Sequence, residues 1–167
     1  MSRTRALVTA ALLAALLTAS KYLLDGLPNI ELVSLLVILY TLELPRLALP
    51  AVYTYIFLYG LLNGFGVWWF PQLYLWAVLM LLTRLLRQLT APLAWALVSG
   101  IFGLCYGALY AVSYAVLNGP AAGLAWWASG IPFDLLHGAG NFVVALLLFC
   151  PLRAGLRRVR SAAGLEA

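Results

Sequence analysis

Asp134, His137 and Asn141 fall within the stretch GIPFDLLHGAGN (130–141), and His137 is the only histidine of the chain. A carboxylate, an imidazole and an amide so close together can pass a proton, hold a polar solute or tie two helices to each other. Spacings of three and seven residues set the side chains within about 60° of one another on a helix of 3.6 residues per turn. Their descent covers about 10 Å at 1.5 Å per residue. Pro132 is the expected first residue of this helix, with Asp134 in a first turn whose positive dipole end suits a carboxylate. In the plainer account, Asp134 caps the helix and hydrogen-bonds His137, and Asn141 joins two helices. Gly138 and Gly140 allow a backbone or a ligand to come close under either account.

The elements that carry these residues are set by composition. The chain of 167 residues is 65% hydrophobic and 9% charged, with a mean hydropathy of +1.02. A soluble domain is about 45–50% apolar and roughly 25% charged, so lipid must be the solvent of most of this surface. Crossing roughly 30 Å of hydrocarbon takes about 20 helical residues. Six spans are expected: 5–24, a short one over 31–44, two from the uncharged run 47–83 divided by NGFG (63–66) and Pro71, one opened by TAP (90–92) and ended by NGP (118–120), and 133–152. Residues 121–131 are too few to span and are expected to form a loop or re-entrant cap. The fold class is an all-α integral membrane protein, a single domain over 1–167 with a basic tail at 153–167. The first apolar run also has the look of a cleavable signal peptide, but removing it would leave an equally apolar chain with nothing soluble to export.

Six spans put both termini on one side. Nine of the ten basic residues then become cytoplasmic, all but Lys21, as the positive-inside tendency requires. This explains the net charge of +5 without nucleic acid. The tail RAGLRRVR is expected to anchor at lipid headgroups or meet a partner. Cys105 and Cys150 lie apart in apolar runs, suited to packing rather than to a disulfide or metal.

The same topology gathers Lys21, Asp25, Asn29, Glu31, Asn63, Asn118, Asp134, His137 and Asn141 at the outer side, with Glu43 and Glu166 near the inner face. A polar cavity open to the outside follows, because ionisable groups in a membrane face a bundle interior or water. Glu31, in PNIEL (28–32), is a candidate ligand contact or simply a helix N-terminal carboxylate. Lys21 and Asp25, four apart, are expected to form a local ion pair. Tyr106, Tyr110 and Tyr114 recur every four residues, and VWWF (67–70), Trp126 and Trp127 lie in outer loops. Any one of these suits an interfacial belt, but Tyr106 is too deep and needs a hydrogen-bond partner, and together they could stack on a flat ring. Ala6, Ala10 and Ala14, flanked by Ala11, Ala15 and Ala19, form small-residue stripes that let helices pack closely. Ser99, Gly103, Gly107, Ala111 and Ala115 form a second ladder, expected to pack inside the chain.

With ALVTAALLAALL in the first helix, PNIELVSLL opening the second and IPFDLLHGAGN opening the sixth, the chain resembles the substrate-binding S component of energy-coupling factor (ECF) vitamin transporters over roughly 4–153. The resemblance implies capture of a vitamin or precursor from outside, with no cofactor and no catalysis by this chain. It implies a transmembrane coupling subunit met by Ala6, Ala10 and Ala14, driven by two cytoplasmic ATPases in a prokaryotic cytoplasmic membrane. The implied substrate contacts are Asn29, Glu31, Tyr110, Tyr114, Asp134, His137 and Asn141. The resemblance assigns the pocket to no one of the riboflavin, thiamine, biotin or folate subgroups and leaves the substrate open. The pocket's balance of Glu31 and Asp134 against Lys21 favours a donor-rich or cationic heteroaromatic ligand, such as a pyrimidine, thiamine-like or benzimidazole-type compound.

Two other functions compete. Asp134 and His137 could serve a small intramembrane enzyme as an acid/base pair, although one histidine and few acids leave little else for substrate activation. A purely structural subunit would not need such a polar lining. The chain has no P-loop, so ATP hydrolysis is expected on partners.

Overall fold

The structure is a computed structural model and describes residues 3–165; Glu166 lies outside them. The described residues form helices and short connections with no strand. The elements are α1 (Arg3–Leu23), α2 (Val33–Glu43), α3 (Pro45–Asn63), a 3₁₀ turn (Val67–Trp69), α4 (Phe70–Leu85), α5 (Pro92–Leu104), α6 (Tyr106–Asn118) and α7 (Pro120–Ala162).

Prolines and glycines place most of the boundaries. Pro45, Pro71, Pro92 and Pro120 each sit in the first turn of a helix, where a missing N–H costs nothing. Gly64 and Gly119, at φ 82° and 90°, turn the chain in the left-handed region that favours glycine. Three helical stretches are long and apolar enough to cross a membrane: α1, the α5–α6 pair and α7. Large apolar side chains stand outward on them, as Val116 does at 79% exposure. A surface of this kind needs lipid around it, and the protein is a helical membrane protein.

α2 is different. Its 11 residues rise about 16 Å, yet all but Leu42 are buried. A helix apolar on every side belongs inside a bundle, and α2 packs against α1, α3, α4 and α7. It is the axle of the molecule.

Two expectations about the chain's last third are corrected. Residues 121–131 are helical, and with the predicted sixth span they make one helix of 43 residues, about 65 Å long. Pro132 is therefore interior and does not start a helix, and Asp134 has no helix N-terminus of its own. Gly123 explains why the extension holds: it lies against the Ala111 carbonyl and Ala115 of α6, where a Cβ would come within 3.0 Å. Residues 153–162 of the basic tail are helical and continue α7.

The far end of α7 closes on α2. The buried Glu43 carboxylate accepts hydrogen bonds from Arg153 at 2.5 Å and Arg160 at 3.1 Å, and Arg157 lies 3.0 Å away. Three of the four arginines expected to face lipid or a partner thus turn to an internal carboxylate. Cys105 and Cys150 are exposed, so neither is the packing residue that its apolar surroundings implied.

Candidate functional site

A cavity of about 430 Å³ opens at the end of the molecule opposite the arginines, within the range of roughly 300–1,000 Å³ typical of small-molecule sites. Every helix except α5 contributes to its wall, together with the Asn29–Glu31 connection and the 3₁₀ turn.

Asp134, His137 and Asn141 do share one face of α7, on a buried stripe that continues through Ala145 to Phe149. They meet different partners. Asp134 Oδ1 accepts a 2.8 Å hydrogen bond from the Gly107 N–H. That donor is free because the helix breaks at Cys105 between α5 and α6. Interrupted membrane helices have to resatisfy such groups from neighbours. His137 Nε2 faces Glu31 Oε1 at 3.4 Å, and its ring meets the Tyr106 ring edge-on at 4.7 Å between centroids. No hydrogen bond joins Asp134 to His137 among the described residues, so the bond expected between them in the plainer capping account is absent. The carboxylate beside the imidazole is Glu31.

Glu31 is also a helix cap. Both of its oxygens accept the Ser34 N–H, at 3.1 and 3.0 Å, one of the donors a helix start leaves unpaired. The Ser34 hydroxyl donates to Glu31 Oε1 and accepts from Asn141 Nδ2 at 3.2 Å. One network therefore runs from Asn141 through Ser34 and Glu31 to His137, joining α2 to α7. Asn141 lies beneath the cavity and does not line it; it ties the two helices together. Tyr114 is also outside the lining, stacked on Trp126 at 3.9 Å. Asn29, Glu31, Tyr110, Asp134 and His137 all line it.

Several lining residues escaped the sequence reading as site candidates. Gln72 donates to the Tyr106 and Tyr110 hydroxyls at 3.1 and 3.2 Å and accepts from Trp76 Nε1 at 2.7 Å. Tyr106 thereby obtains the partner its depth required. Tyr110 donates to the Trp68 carbonyl. Tyr55, Tyr59 and Trp76 complete an aromatic wall. A lone glutamine in an otherwise uncharged, apolar run was the available signal for Gln72. Lys21 also lines the cavity, and the expected ion pair with Asp25 is not present among the described residues.

Ala10 and Ala14 are buried within this chain, Ala14 completely, with α1 packed chiefly on α3. Ala11, Ala15 and Ala19 form the stripe that α1 leaves exposed. The second ladder behaves as expected: a Cβ on Gly103 would lie 2.8 Å from the His137 carbonyl and 2.9 Å from Gly138, so α5 and α7 touch backbone to backbone.

Comparison with protein families, with characterised proteins and with solved structures finds no match. The site is interpreted from its own geometry.

Proposed function

We propose that the protein is the solute-capturing subunit of an importer of the energy-coupling factor kind, holding a vitamin or small heteroaromatic precursor in the cavity. The supporting observation is the cavity itself: buried carboxylates and an imidazole at its base, aromatic faces on its walls, and an apolar, arginine-tipped body beneath it. Such a combination of ring-stacking surface and a few oriented polar groups suits small-molecule recognition.

In this reading the chain crosses a prokaryotic cytoplasmic membrane six times, α5 and α6 together forming one crossing. Both termini and the arginine end face the cytoplasm, and the cavity opens outward. The chain carries no reaction of its own. A transmembrane coupling subunit and two ATPases move the solute onward, the coupling subunit docking on the exposed stripe of α1 at Ala11 and Ala15, since Ala10 and Ala14 are covered.

Native mass spectrometry of gently solubilised protein tests the proposal. A reproducible adduct of unmodified small molecule is expected, and His137→Ala, which strips Glu31 of its imidazole, should weaken its retention. Turnover of a substrate by the wild type, with His137→Ala binding but not converting it, would transfer the site to an enzyme. No adduct across several preparations would remove the solute-binding reading.

A further inference from the structure

The cavity's polar groups divide into those already satisfied by the protein and those still open, and the open ones describe a ligand. Glu31 is occupied by Ser34 and His137. Gln72 is occupied at both ends of its amide, and Tyr110 gives its proton to the Trp68 carbonyl. Among the groups left over, three bear most directly on a ligand. Asp134 is 7% exposed, and while its Oδ1 holds the Gly107 N–H, its Oδ2 is buried with no partner. Tyr106 accepts from Gln72, but its own hydroxyl proton meets no acceptor among the described residues. Lys21 reaches the cavity from the end of α1 with no carboxylate within 4.0 Å among the described residues.

An unpaired buried carboxylate oxygen is unfavourable until a donor reaches it. Asp134 and Tyr106 both line the cavity. A heteroaromatic ring can supply what each of them lacks, an N–H or amino donor for Asp134 and a ring-nitrogen acceptor for the Tyr106 hydroxyl. Lys21 is the opposite pole. It calls for an anionic substituent, and its charge balances Asp134 while Glu31 has its counter-group in His137.

We propose that the cavity is built for an amphoteric heteroaromatic solute, with a hydrogen-bond donor toward Asp134, an acceptor toward Tyr106 and a carboxylate or phosphate substituent beside Lys21. This rests on the solute-binding reading and narrows it. A merely cationic or neutral ring would leave Lys21 without a partner.

Binding of defined probes to purified protein decides it. The probes are 2-aminopyrimidine-5-carboxylate and benzimidazole-5-carboxylate, each with its neutral carboxamide, and naphthalene-2-carboxylate, which lacks the ring nitrogens. At least one heteroaromatic carboxylate should bind roughly tenfold or more tightly than its carboxamide, a charge-assisted contact set against a neutral one. Lys21→Gln should erase that difference, weakening the carboxylate more than the carboxamide. Asp134→Asn retains an acceptor for the Gly107 N–H, and it should weaken both heteroaromatic forms but not the naphthalene. A heat-denaturation midpoint measured without probe confirms that each variant is folded. Carboxamides binding as well as carboxylates, or Lys21→Gln weakening both alike, would overturn the amphoteric ligand and leave a solute site standing. If no probe binds and native protein carries no adduct, both readings fall.

Discussion

At the scale of single residues, the site depends on one position without a side chain. A Cβ on Gly107 would fall 2.7 Å from Asp134 Oδ1, closer than real contacts allow, so Gly107→Ala must push the carboxylate off the N–H it holds. Retention of the small-molecule adduct should fall by roughly tenfold or more, because stranding a buried hydrogen-bonding group costs about 1–3 kcal/mol. Native mass spectrometry of the variant beside wild type measures this, and undiminished retention would show that Asp134 needs no fixed orientation. The shared face of Asp134, His137 and Asn141 was legible from their spacing alone. Their partners were not, because Gly107, Glu31 and Ser34 come from other helices, and no local rule selects among the carbonyls, amides and carboxylates that packing brings near.

The elements show the same division. Helix starts at Pro45 and Pro92 follow local chemistry, and the α3–α4 break follows from NGFG and Pro71. The helix over 121–131 did not, since its support is the fit of Gly123 against α6. Packing of α5 on α7 through small residues makes a test at this scale. Gly103→Ala places a methyl against the backbone of His137 and Gly138 and should cost about 1–3 kcal/mol as overpacking, lowering the heat-denaturation midpoint in detergent. Gly155→Ala, in the same helix α7 but with nothing within 4 Å of the added carbon, should hold or raise the midpoint, since alanine favours a helix interior over glycine by about 1 kcal/mol. Equal effects from both would remove the close contact as the cause.

Across the whole molecule, polarity is sorted to two ends. The cavity network joins α2 to α7 at one end, and Glu43 joins them again at the other through Arg153, Arg157 and Arg160. The proposed orientation can be measured with Cys105 and Cys150 replaced by serine. Asn118→Cys, beside the cavity end of α6, should react with an impermeant maleimide in intact cells. Gln88→Cys, between α4 and α5, should react only after permeabilisation. The reverse pattern would turn the cavity toward the cytosol and end the importer reading.

By itself the sequence determined the solvent, the helical class, most helix boundaries and the face on which the chemistry lies. Hydropathy, proline, glycine and residue spacing act within a turn or two of the chain, so they can be read along it. Tertiary structure alone decided that Glu31 rather than Asp134 meets His137, that Asn141 and Tyr114 stand outside the cavity, that Gln72 and Lys21 stand within it, and that Ala14 is covered. Each of these depends on which helix lies beside which. That choice is made by close packing over the whole bundle, where a methyl group's width decides what can touch.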